Sequence, residues 1–388
     1  MIKTSKAFTY ELDNADVAVS EIVSQLKLDS SLCRNTIGIL LCHTEFVISG
    51  VARAVSSALP FDVVGVSTTG QATPDDENVF ALSVTVLTSD TVRFSAAHSS
   101  SVSDSLEEPL AGAYNAAFAA AGRRPELMLA FAPMLLNYAG DQYVEVLDRI
   151  SGGVPVFGTL SMEDRYPYEN CYTIFNDLCE QNTAVLVLVS GDISPKFFAS
   201  TSANQRALTR GAVITKSRGN LIIEINGCPL IQYLEEMGLA VNGQIKPGLI
   251  YIMFLLDYND GTPPAGKVLI TINEDGHGVC GGYMPEGCHL FVTSMSREEV
   301  LETAGNVIDC ILKSYDESVD VLIAFSCSTR YLSLGGDNNA EYRAVERAIG
   351  GKVPSIIALS GGEICPYVAS DGTIRNRFHN HTLTVCTF

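Results

Sequence analysis

The sequence predicts an α/β protein of two domains, with mixed, largely parallel-cored sheets. Two observations carry this. A unit of strand, helix, strand, helix, proline and strand recurs three times along the 388 residues. One of its strands, Val319–Phe325, is a near-continuous apolar run, the pattern of a parallel strand covered on both faces.

In the first unit a strand near Ala7–Glu11 leads to a helix near Asp16–Leu26, a strand over Thr36–Cys42 and a helix over Glu45–Ala58. Pro60 ends that helix and starts the next strand, Phe61–Val66, in extended conformation. The second unit reads Val92–Ala96, a helix near Ser103–Ala121, Leu127–Phe131, a helix over Gln142–Ile150, Pro155 and Val156–Gly158. The third reads Leu290–Thr293, a helix over Arg297–Ser314, Val319–Phe325, a helix over Glu341–Ile349, Pro354 and Ser355–Leu359. Its first helix opens on the capping box Ser296–Glu299 and repeats Leu301, Ala304, Ile308 and Ile311 at helical spacing. Strand–helix–strand in one sheet implies parallel neighbours. The alternating segments Phe80–Leu87, Ala184–Val189 and Thr382–Thr387 read as antiparallel additions. Between the second and third units lie strands at Leu221–Asn226, Leu249–Leu256 and Val268–Asn273 and a helix at Pro229–Met237. A boundary near Gly211 gives domains 1–210, with two units, and 211–388, with one unit and extra strands.

Composition narrows the function. With 47% hydrophobic and 18% charged residues the chain buries a large core. A net charge of -19 argues against nucleic acid and against an anionic membrane surface, both of which need a basic face. The acidity reads as a cytoplasmic surface. Eleven scattered cysteines, Cys42, Cys310 and Cys386 among them, read as buried free thiols of a reducing compartment rather than a disulfide framework. No signal peptide is expected at the N-terminus, and the longest apolar run, Leu249–Leu256, is too short to span a bilayer.

The chemistry-bearing residues gather at strand ends, where open α/β sheets place ligand sites. Val319–Phe325 and Ser355–Leu359 are joined by a helix, so their C-terminal ends share one rim. Cys327, Arg330, Ser360 and Glu363 lie just beyond those ends, and His379 and Asn380 return to them if Cys365–Phe378 is a loop. Arg330 reads either as an anion clamp or as a pin on Glu363 or another acid. Glu363 reads either as an ammonium partner or as a loop pin. Cys327 as a nucleophile needs a base, for which His379 is the candidate; otherwise it is a small buried residue. Asn137, Tyr138 and Ser161–Glu163 follow second-unit strands and read as a second cleft or as loops. His277, Cys280, Cys288 and His289 have zinc-like spacing, but alternation sends Cys288 and His289 to opposite faces. The pairs Gly335–Gly336 and Gly350–Gly351 lack the lysine of a phosphate loop. No cofactor and no metal is expected.

In its order of motifs the chain resembles the FIST domain family, in both N- and C-terminal parts. The matching residues are Gly219-Asn220, Glu224-Ile225-Asn226-Gly227, Pro285-Glu286-Gly287, Phe325-Ser326-Cys327 with Arg330, Gly362-Glu363-Ile364, Pro366, and His379-Asn380 before Thr382-Leu383. Gly65 to Gly70, with Ser67 and Thr68, is similar to the family's turn rich in Ser and Thr, with Val66 in place of the usual cysteine and Gln71 in place of the usual acid. The resemblance implies a sensory input module without established catalysis. It would bind a small molecule such as an amino acid and signal to an output domain or partner of kinase, cyclase or chemoreceptor type. Arg330, Glu363, His379, Cys327, Ser360, Asn380, Ser67 and Thr68 are its expected ligand-binding residues. The alternatives are an enzyme built on Cys327 and His379, and an interaction scaffold with no small ligand.

Overall fold

Three four-stranded units of one design build the molecule. A computed structural model describes residues 1–28, 32–72, 80–165, 167–201, 211–246, 252–314, 319–335, 340–349 and 353–388. The expected strand start at 249–251 and the glycines at 336 and 350–351 lie outside these residues. The first unit contains β1 (Lys3–Thr9), α1 (Ala15–Leu26), β2 (Asn35–His43), α2 (Thr44–Ile48), α3 (Val51–Ser57), β3 (Asp62–Thr68) and β4 (Leu82–Ser89). The Asn14 side chain caps α1 by accepting from the Asp16 and Val17 amides. The single helix expected over Glu45–Ala58 is instead two, because Gly50 sits between them at φ 84°.

The second unit contains β5 (Arg93–His98), α4 (Glu107–Ala121), β6 (Leu127–Ala132), α5 (Gly140–Ser151), β7 (Val156–Leu160), the hairpin β8 (Thr173–Phe175) and β9 (Leu178–Glu180), and β10 (Val185–Ser190). Then come β11 (Lys196–Ser200) and an inserted segment: β12 (Ala212–Arg218), β13 (Leu221–Ile225), β14 (Cys228–Pro229), α6 (Leu230–Glu236), β15 (Ala240–Val241), β16 (Gln244–Ile245), β17 (Ile252–Asp257), β18 (Ala265–Ile272), β19 (Gly278–Cys280) and β20 (His289–Thr293). The third unit continues with α7 (Arg297–Ser314), β21 (Leu322–Cys327), α8 (Ser328–Ser333), α9 (Ala340–Ile349), β22 (Ser355–Ser360), the hairpin β23 (Glu363–Val368) and β24 (Ile374–His379), and β25 (Leu383–Thr387). The capping box of α7 forms as the sequence reads, with Ser296 N on Glu299 and Glu299 N on Ser296 Oγ.

The strand orders β1-β4-β2-β3, β5-β10-β6-β7 and β11-β25-β21-β22 are the same order three times. In each, the last pair is parallel and the others antiparallel. The strands after the prolines, β3, β7 and β22, therefore hold equivalent places. The third unit begins on β11 rather than on 290–293. That segment is β20, whose two edges are taken by β12 and β17 in the inserted sheet. The inserted strands run β12-β20-β17-β18-β19-β13, and β12 also pairs with β13, so the ring closes on its own apolar interior of Phe254, Leu256, Leu269 and Leu290.

Each unit hands its following segment to the next sheet. β8 pairs with β3 of the first unit, β23 pairs with β7 of the second, and Gln71 bridges to Ala358 in β22 of the third. The expected loop Cys365–Phe378 is thus the hairpin β23–β24. Polar Arg375, Asn376 and Arg377 hid the strand from a hydrophobicity pattern. They are tolerated because Asp260 pairs both arginines and Asn376 bonds Val154 O and Val156 N.

Alternate residues of the parallel strands share one core. Ile37, Ile39 and Leu41 meet Leu127, Leu129 and Phe131 and Val321, Ile323 and Phe325 there. Phe157 stacks on Phe325 with ring centroids 5.5 Å apart. The outer faces bury under α1 and α3, α4 and α5, and α7 and α9 in turn. Gly65 and Gly158 let the parallel pairs close up. A Cβ there would lie 1.7 Å from Leu40 O and 1.9 Å from Ala130 O. Cys42 and Cys386 are buried as expected, whereas Cys310 is exposed on α7.

Candidate functional site

The C-terminal ends of β3, β7 and β21 converge on one cavity of about 210 Å³, closed from the far side by the inserted ring. Thr69 follows β3, Met162 and Glu163 follow β7, and Cys327, Ser328 and Thr329 follow β21. β18 and β19 supply Val268, Ile270, Cys280 and Gly281, and the turn after β24 supplies Asn380. The volume is below the roughly 300–1,000 Å³ of drug-sized sites and suits a small metabolite.

Two buried polar atoms on this wall have no hydrogen-bond partner among the described residues: Thr69 Oγ1 and Asn380 Oδ1. Asn380 and Thr69 are 5% and 7% exposed. Gly281 leaves room for the amide, since a Cβ there would lie 2.5 Å from Asn380 Oδ1. Buried polar atoms are normally satisfied, so a ligand or water is the expected complement.

Of the expected ligand-binding residues, Cys327 and Asn380 line this cavity, and Tyr138, Met162 and Glu163, read from the sequence as a second cleft or as loops, line it too. Ser67 and Ser360 stand behind the wall as stitches between units, and Thr68 as a brace within the first. Ser67 Oγ donates to Met162 O (3.2 Å), Thr68 Oγ1 to Gln71 Oε1 (2.9 Å), and Ser360 Oγ lies 2.6 Å from Thr159 Oγ1.

Arg330 is 0% exposed and does not line the cavity. Its Nε donates to Glu341 Oε1 at 3.1 Å, Nη2 to Thr303 Oγ1 and Val300 O, and Nη1 to His381 O. Ser326 Oγ completes Glu341 at 2.6 Å. The guanidinium therefore ties α7, α8, α9 and the last turn together.

Glu363 is fully buried at the start of β23, and neither carboxyl oxygen makes a hydrogen bond. Burial pushes its pKa well above the ordinary 4.5, against the smaller opposing pulls of Ser360 and Arg330. That direction favours the protonated carboxyl over the carboxylate. His379 packs edge-on to Tyr367, with centroids 4.8 Å apart, and donates from Nε2 to Cys365 O at 3.0 Å. Burial lowers its pKa to about 3.

Among the described residues no hydrogen bond joins Cys327 to His379. The thiol instead receives the Thr329 hydroxyl at 3.2 Å, and Thr329 Oγ1 lies 2.8 Å from His381 Nδ1. Burial, then Glu363, pushes the Cys327 thiol up to about 12, and burial takes His381 down to about 3. This chain holds a thiol beside a neutral imidazole, not the ion pair of an activated cysteine. No group of three metal-ligating side chains gathers among the described residues. No helix among them is long and apolar enough to cross a membrane.

Sequence reasoning gave no role to Thr329 and His381, and it held the cavity-lining Thr69 only as part of the turn from Gly65 to Gly70. The signal for His381 was its place two residues past His379; it adopts a left-handed φ of 53° that closes the turn.

The family model described as FIST N domain matches residues 36–228, and the one described as FIST C domain matches 232–366. A comparison with curated proteins finds no match. Among solved structures the chain is similar to a cyanuric acid hydrolase from A. caulinodans, with a TM-score of 0.39 and 10% identity over 100% of this chain and 98% of that one. It is also similar to a chorismatase, with a TM-score of 0.35 and 9% identity over 100% and 98% of the two chains. Likenesses this distant carry no argument about function.

Proposed function

The chain belongs to the FIST family of sensory and signal-transduction domains, and from that premise we propose that it is a cytoplasmic small-ligand sensor whose ligand occupies the cavity at the junction of the three units. The observation that carries the reading is the pair of unpartnered, buried polar atoms, Thr69 Oγ1 and Asn380 Oδ1, on one concave wall. The cavity draws on every unit, so an occupant would change how the units sit on one another. That strain is what an output domain or partner of kinase, cyclase or chemoreceptor type would receive. Eleven free cysteines favour a reducing compartment.

The amino acid that the resemblance implies is less well served. Arg330, the expected carboxylate clamp, is committed to Glu341. An enzyme built on Cys327 and His379 is disfavoured by the raised thiol and by the hydrogen bonding of both groups.

A thermal-shift screen against small metabolites tests the reading. A ligand at a hundred times its Kd should add about 2.7 kcal/mol. Leu332, 46% exposed, lines the cavity. Leu332→Trp should fill its mouth without disturbing the core and abolish that stabilisation. Stabilisation that survives Leu332→Trp would place the ligand elsewhere.

A further inference from the structure

We propose that the ligand is an organic ammonium with an apolar body and no carboxylate; this rests on the cavity being the ligand site. The argument is charge, then shape. Glu163 and Asp164 line the cavity, and among the described residues no lysine, arginine or histidine does. The two buried cations of the adjoining elements are already held. Arg330 is paired with Glu341. Lys267, 0% exposed, is held at 2.7 and 2.9 Å by Asp141 and at 2.8 Å by Phe378 O.

Glu163 is buried, and its carboxyl oxygens accept the Asn170 amide and side chain. Asp164 Oδ2 takes a hydrogen from His43 Nε2 at 2.8 Å. His43 Nδ1 accepts the Glu45 amide at 3.3 Å, so Nε2 is the ring nitrogen that faces Asp164. Two carboxylates, with no lysine or arginine among the described lining residues, give the cavity a negative potential, which draws cations and repels carboxylates.

The unpartnered Asn380 Oδ1 is an acceptor, and Thr69 Oγ1 can accept as well. Both can accept the N–H groups of an ammonium, and Asn380 Oδ1 has no hydrogen to offer an oxyanion. The mouth is apolar. Leu136, Ile270 and Leu332, from the second unit, the inserted ring and the third unit, line it while 54%, 42% and 46% exposed. Three such side chains on one rim leave apolar surface for a ligand body to cover. Tyr138, Tyr168 and Tyr331 add aromatic wall, and a ring face attracts an organic cation.

Isothermal titration with a matched trio tests this: phenethylamine, phenylalanine and 3-phenylpropionate share one apolar body and differ in charge. Phenethylamine should bind roughly tenfold tighter than phenylalanine, a difference near 1.4 kcal/mol, and 3-phenylpropionate should bind weakest. Leu332→Lys places a cation at the exposed mouth and should reverse the order of the amine and the carboxylate. Asp164→Asn should weaken the amine roughly threefold to tenfold, its carboxylate being partly exposed. Carboxylate binding as tight as amine binding in the wild type would overturn this inference and leave the cavity standing as a ligand site. Failure of all three probes would also overturn it, and the metabolite screen with Leu332→Trp would then decide the cavity itself.

Discussion

Arg330 and Glu341 are locked face to face inside the third unit, with Nε 3.1 Å from Oε1 and the arginine wholly out of solvent. The pairing joins α8, whose next residues Tyr331 and Leu332 line the cavity, to α9. Removing one partner strands a charge. Arg330→Met should cost about 3–5 kcal/mol in denaturant unfolding. The double variant Arg330→Met/Glu341→Met should recover most of that loss and keep ligand-induced stabilisation. A folded double variant that no longer responds to ligand would make the arginine a ligand contact after all.

Glu363 gives a pH dependence of known sign. Its folded pKa lies above the ordinary 4.5, so the folded chain holds a proton that the unfolded chain releases. Its contribution is present below 4.5 and is lost as pH rises towards the folded value. Glu363→Gln has no proton to lose. Thermal unfolding as a function of pH should show the variant gaining on the wild type as pH rises from about 4.5, with no gap at lower pH. Parallel curves would mean that the carboxyl is ionised in the folded protein.

The two buried histidines act at the acid end with the opposite sign. His379 and His381 titrate near 3 in the folded chain against an ordinary 6.5. The folded state refuses protons that the unfolded state takes up, so stability is full above 6.5 and falls as pH drops towards 3. His379→Gln keeps a donor for Cys365 O, and His381→Asn tolerates the left-handed φ. Together they should flatten acid unfolding across that window. Unchanged acid midpoints in the double variant would contradict the burial argument.

Gly65 and Gly158 occupy equivalent places in the first two units and face carbonyl oxygens at distances no methyl can tolerate. Gly65→Ala and Gly158→Ala should each lower stability by about 2 kcal/mol or more, because the parallel pair must spread to admit a Cβ. Near-neutral effects in chemical denaturation would show that the pairs have slack.

The repeat was legible because Pro60, Pro155 and Pro354 punctuate it and the apolar runs between them are long. The exchange of segments between units was not. β11 is a short strand that follows Pro195 with no helix before it, unlike β3, β7 and β22, and β24 carries two arginines whose partner, Asp260, lies more than a hundred residues away. The site was legible as a place, at strand ends, but not in its membership. Ser67, Ser360 and Arg330 have polar groups that the fold itself satisfies, while Thr69 and Asn380 keep theirs open. Which polar atom lacks a partner depends on contacts between distant units, and local sequence spacing holds no record of that.

Methyl NMR of the methionines tests the central claim most directly. Met134 and Met162 line the cavity, whereas Met128 is buried in the second unit's outer core and Met284 in the inserted ring. With methionine methyls labelled, a stabilising ligand from the metabolite screen should shift the Met134 and Met162 signals at low saturation and leave Met128 and Met284 in place. Shifts confined to Met128 or Met284, with Met134 and Met162 unmoved at saturation, would contradict the assignment of the junction cavity as the sensory site.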